Sequence, residues 1–78
     1  MRFTMNYQES YTTIIKIHDE SFELLYITDE FNTAERYIER ELKAKFVYED
    51  EGGIKYKTDN GDYYAIQTHF YWSVKNND

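Results

Sequence analysis

The chain has no cysteine and no proline, and only three glycines among its 78 residues. Without cysteine there is no disulfide framework and no thiolate metal set, so a chain near the lower size limit for an unstapled core must hold together by packing alone. That suits a reducing compartment. Without proline, and with no serine-rich or low-complexity run, nothing marks a linker, and residues 1–78 read as a single small globular domain. Long hydrophobic runs are missing too. The amino terminus has no apolar stretch of signal-peptide length and no other segment is long enough to span a bilayer, which leads to the expectation of a soluble cytoplasmic protein with no membrane partner. Positive charge is scarce: nine Lys and Arg stand against fifteen Asp and Glu, a net charge of −6. Such a balance repels nucleic acid at long range and favours a basic protein as partner.

Aromatic residues are abundant, with nine Tyr, five Phe and one Trp, and they supply much of the available apolar area. The glycines fall in two turn-like stretches, Asp50-Glu51-Gly52 and Asp59-Asn60-Gly61. Each predicts a three-residue hairpin loop, a type I turn closed by a left-handed glycine. Tyr48 then falls opposite Ile54, Phe46 opposite Tyr56, Thr58 opposite Asp62, Tyr56 opposite Tyr64 and Ile54 opposite Ile66. Reading Asn60-Gly61 as a two-residue turn would set Lys55 and Lys57 against Ile66 and Tyr64, and is rejected on that ground.

Alternation in Phe3, Met5 and Tyr7, and again in Tyr11, Thr13, Ile15 and Ile17, predicts one interrupted strand or a short hairpin broken near residues 8–10. In residues 21–28, Phe22, Leu24 and Tyr26 share one face while Leu25 and Ile27 share the other, which suggests a central or doubly covered strand. Ala34, Tyr37, Ile38 and Leu42 recur at helical spacing, with Asn32 and Glu35 placed as a capping box, so a helix is expected over residues 33–44. In residues 62–74, Tyr64, Ile66, Thr68, Phe70, Trp72 and Val74 form the expected core face. This strand could reach about 40 Å, so its second half should pair near the amino terminus and close the middle of the sheet. The expected fold is α+β: a bent antiparallel sheet of about five strands with one helix packed on one face, in the order β-β-α-β-β-β.

Motifs for chemistry are absent. His18 and His69 stand in no metal-ligand spacing and beside no obvious nucleophile, Ser10, Ser21 and Ser73 lack a nucleophile-elbow context, and the paired carboxylates Asp59 and Asp62 lack a calcium-loop pattern. No enzymatic activity, metal or cofactor is therefore expected. One sheet face gathers Lys45, Val47, Lys55, Lys57, Tyr63, Gln67, His69 and Tyr71, a mixture that could stack and neutralise single-stranded nucleic acid or serve as a solvated face with tyrosines over lysine stems.

The acidic residues sort by topology. Asp19, Glu20, Glu23, Asp59 and Asp62 are expected at one end of the sheet, and Asp29, Glu30, Glu49, Asp50 and Glu51 at the other. Two such ends could imitate phosphates before a basic groove, although exposed turns are often acidic for their geometry alone. In size, acidity, lack of cysteine and wealth of tyrosine the chain resembles the small inhibitors that phages and mobile elements direct against host defences, including anti-CRISPR and anti-restriction proteins. The resemblance implies a non-enzymatic inhibitor of a basic nucleic-acid-handling nuclease or complex. Glu49, Asp50, Glu51, Asp59, Asp62, Asp19 and Glu20 are its candidate contacts, and Tyr63 and Tyr71 its candidate aromatic anchors. The alternative is a homodimeric binding or scaffold domain that pairs through an open edge at the amino-terminal or third strand.

Overall fold

The computed structural model describes residues 3–77, and the side chains of residues 8–72. In chain order the elements are β1 (Phe3–Ile17), β2 (Phe22–Thr28), α1 (Phe31–Arg36) continued by a π-helical turn (Tyr37–Glu41), β3 (Lys45–Asp50), β4 (Gly53–Lys57) and β5 (Tyr63–Asn77). The strands form one antiparallel sheet in the order β2-β1-β5-β4-β3. The expected β-β-α-β-β-β succession with a single helix is present, but the sheet is open, with β2 and β3 as its edges.

The helix and its π turn cover one face. Ala34 and Ile38, one turn apart, meet Ile14, Tyr56, Tyr64 and Ile66, and Leu25, Phe31, Tyr37, Leu42 and Ile54 pack around them. Ile14, Ile38 and Ile66 are fully buried, each stabilising the fold by about 1.5–3 kcal/mol. The helix starts earlier than the capping-box pattern predicts. Glu30 is the N-cap and makes no side-chain cap bond, while its amide donates to Thr28 Oγ1 and its carboxylate accepts from Thr33 Oγ1; Asn32 therefore lies inside the first turn. At the other end Leu42 N–H reaches Tyr37 O and Ala44 N–H reaches Ile38 O. This closure leaves Lys43 in the left-handed region at φ 56°, where glycine is usual.

The two glycine loops differ. The second follows expectation: Thr58 and Asp62 bond across residues 59–61, and Gly61 has φ 90°, so Ile54 faces Ile66 and Tyr56 faces Tyr64. The first does not. Asp50 pairs with Gly53, leaving a loop of Glu51 and Gly52, and the left-handed glycine is Gly53 at φ 115°. A bulge at Val47 then turns Tyr48 against Lys55, not Ile54, although Phe46 still faces Tyr56.

β2 is likewise an edge strand and not a central one. A bulge at Leu25 separates the pair Ile15–Leu24 from Ile14–Tyr26. Leu25 packs toward the core, Tyr26 stacks on Tyr37 at 5.4 Å, and Phe22, Leu24 and Ile27 are exposed. Both outer strands of the body thus carry a bulge, a feature that twists an edge away from further pairing.

β1 and β5 run uninterrupted through fifteen residue pairs, from Phe3 opposite Asn77 to Ile17 opposite Tyr63, so the expected break near residues 8–10 does not occur. β2 stops at the Thr12–Thr28 pair, and the β4 pairing stops at Ile54–Ile66. Nine pairs beyond them, Tyr11–His69 outward, project as a two-stranded arm about 30 Å long at ~3.3 Å per residue. The arm explains the extents of 59 × 26 × 19 Å and a radius of gyration of 16.1 Å, against about 11.5 Å for a compact domain of this length.

Candidate protein-interaction surface

The arm corrects the expected core. The helix and π turn together hold six and five residues, about 16 Å at 1.5 Å per residue, so they cover the body rows and nothing further out. Phe70 and Trp72, expected inside, are 66% and 68% exposed. The expected facing of Phe3, Met5, Tyr7, Ser73 and Val74 lies outside the described side chains. On the opposite face of the arm's root Tyr11 stacks on His69 at 4.9 Å, Tyr71 lies 5.9 Å from Tyr11, and Thr13 Oγ1 is 3.0 Å from His69 Nε2. His69 is accordingly half-buried, whereas His18 is exposed beside Glu23 at 3.4 Å.

The register gathers the acidic residues at two ends of the body. The β1–β2 turn with Asp19 and Glu20, and the β4–β5 loop with Asp59 and Asp62, adjoin the row in which Ile17, Phe22, Lys57 and Tyr63 pair. Asp29 and Glu30 follow β2, and residues 49–51 form the β3–β4 hairpin, so these groups flank the arm's root from opposite edges. Five residue steps from Thr12 to Ile17 separate the two ends by about 17 Å.

These carboxylates are not equivalent. Asp50 Oδ1 accepts from Gly52 N–H and from Lys55 Nζ, both at 2.8 Å, and these bonds, the lysine's first, hold its carboxyl below the usual range. Asp50 therefore closes the hairpin. Glu49, Glu51, Asp19, Glu20 and Asp59 are exposed, and Asp62 is half-buried. The two tyrosine anchors are apart: Tyr63 lies at the distal end beneath Lys57, 5.2 Å from its ring, and Tyr71 lies on the arm.

The lysine-rich face is committed to the fold at its middle, around Lys55 and Gln67, while Lys45 and Lys57 remain exposed. Lys55, whose side chain is only 12% exposed, is held by Asp50 and lies 5.7 Å from the Tyr48 ring, while Gln67 Nε2 donates to Gly52 O at 2.9 Å. Two clefts are shallow and polar. One of about 310 Å³ lies among Leu42, Lys43, Thr58, Asn60 and Tyr64, another of about 220 Å³ beside Gly53, Gln67 and His69. Among the described residues no three His, Asp or Glu side chains cluster to hold a metal ion, and no helix is long and apolar enough to cross a membrane. Compared with known proteins, the chain matches no family model, no characterised protein and no solved structure.

Proposed function

We propose that this chain is a non-enzymatic binding protein that docks on a basic, nucleic-acid-handling protein and inhibits it by blocking the surface nucleic acid would use, as phage and mobile-element anti-defence inhibitors do. One arrangement supports this reading: a body with a net charge of −6 carries exposed carboxylates at two ends about 17 Å apart, with Tyr63 beside one of them. A separation of two Debye lengths, each about 8 Å at physiological salt, lets the ends act as separate contacts. Carboxylates so placed steer a basic partner and fix its register.

The test is binding to the basic protein recovered from a host lysate and then purified. Asp50 is left intact because it holds the hairpin. The pair Glu49→Lys and Glu51→Lys, and separately Asp19→Lys and Glu20→Lys, should each weaken binding about tenfold, or ~1.4 kcal/mol. Their effects should add, and rising salt should weaken the unaltered protein. Affinity indifferent to both pairs and to salt refutes the proposal.

A further inference from the structure

We propose that the arm is a self-association element: two copies of this chain pair antiparallel along the outer edge of β5, residues 69–77, making a four-stranded ribbon in the order β1-β5-β5-β1. This does not rest on the inhibitory reading.

The first ground is the edge itself. Among the described residues no strand pairs with β5 beyond Ile66 on the side away from β1. The body's own edges are interrupted by bulges at Leu25 and Val47, yet β5 keeps its register with β1 through the arm with no shift. The straight, unbulged edge is the one suited to adding a strand. A two-stranded ribbon is marginal in water, and a sheet of three or more strands is the usual remedy. Of the arm's two edges, β5 carries its strand formers in one run, Phe70, Tyr71, Trp72 and Val74, whereas those of β1, Phe3, Thr4, Tyr7 and Tyr11, are separated by Asn6, Gln8, Glu9 and Ser10; the continuous run selects β5.

The second ground is charge, which selects a copy of the same chain. The arm contains one acidic residue, Glu9, and one basic residue, Lys75, so it is neutral on a chain whose net charge is −6. Pairing about a two-fold axis at Ser73 sends the two bodies to opposite ends of the ribbon, about 30 Å apart, several times the ~8 Å screening length. The arm is therefore a surface through which these acidic molecules meet without strong repulsion. The same axis aligns Phe70 and Trp72 of one copy on one sheet face with positions 76 and 74 of the other, because an even register keeps the faces matched. About two thirds of each ring is exposed, out of roughly 150–250 Å² per aromatic side chain. The pair thus holds about 250 Å², well under the ~800 Å² per partner of a standard interface. The dimer is accordingly reversible, forming at micromolar concentration.

Sedimentation or light scattering across about 1–200 μM, spanning a micromolar dissociation constant, should show the mass rising from 9.5 kDa toward twice that. The double variant Phe70→Lys and Trp72→Lys should stay monomeric throughout, with its far-UV circular dichroism unchanged. The chain lacks cysteine, so a single introduced thiol reads the register. Ser73→Cys should oxidise to a covalent dimer about tenfold faster than Asn60→Cys, because facing strand residues have the Cα spacing a disulfide needs. Charge reversal of Glu49 and Glu51 should leave the mass transition in place, which separates this result from the inhibitory reading. A monomeric mass at the highest concentration, a dimer that survives the double variant, or Ser73→Cys cross-linking no faster than the control overturns the proposal.

Discussion

Gly53→Ala should be far more damaging than the same change at Gly61, although both glycines have positive φ. At Gly61, φ is 90° and an added Cβ meets nothing within 4 Å, so the cost is backbone strain of about 1–2 kcal/mol less ~0.4–1 kcal/mol returned by a stiffer unfolded chain. At Gly53, φ is 115° and the Cβ would lie 2.4 Å from the carbonyl oxygen of Ile66 and 3.0 Å from Gln67 Cγ. Ile66 is fully buried and sits between β1 and β4, so its backbone cannot retreat without disturbing both ladders. Strain of ~1–3 kcal/mol and overpacking of ~1–3 kcal/mol then combine to about 3–5 kcal/mol. A chain of 78 residues has a total stability of about 4–12 kcal/mol. Urea unfolding followed by far-UV circular dichroism should show the midpoint lowered by about 3–5 M for Gly53→Ala and by no more than about 1.5 M for Gly61→Ala, at an m-value near 1 kcal/mol/M. Tryptophan emission is a poor probe, since Trp72 lies exposed on the arm. Equal midpoints for the two variants would refute the close approach of the hairpin to β5.

Two further outcomes follow from the core and the helix end. Burial, then the nearby Glu35 and Glu39, raises the Tyr56 phenol above its ordinary value of 10.0. The unfolded chain ionises first, so this contribution is full below pH 10 and is lost as pH rises toward the folded value. Tyr56→Phe should therefore narrow the gap between urea midpoints measured near pH 8 and near pH 11; an unchanged gap counts against the assignment. Lys43→Gly should relieve the left-handed strain at φ 56° and, after the added unfolded-state entropy, stabilise by ~0.5 kcal/mol. That raises the melting temperature by about 2–4 °C, and a lower melting temperature would refute it.

Edges and ends were the parts least legible in the sequence. The Asp59-Asn60-Gly61 loop could be read because its register is over-determined: a shift of one residue would put lysines in the core. The Asp50-Glu51-Gly52 loop could not, because β3 is an edge strand whose side chains are exposed along its length, and a bulge there carries little burial penalty. The same holds for residues 21–28, whose two apolar faces suggested a covered strand but belong to a bulged edge. A signal for the exposure of Phe70 and Trp72 lay in the mismatch between one short helix and a strand able to reach about 40 Å: a helix of that length cannot cover such a strand.

For the interaction surface, composition determined the sign of the charge and the lack of a thiol framework, and loop chemistry determined that carboxylates cluster at the turns. Those properties are local or additive, so they survive any uncertainty in packing. Which carboxylate closes a hairpin, as Asp50 does, which aromatic rings remain in water, and which strand edge is straight enough to pair depend on contacts between residues far apart in the chain. Only the tertiary structure decided them, because the helix is shorter than the strands it covers and leaves β1 and β5 to continue alone.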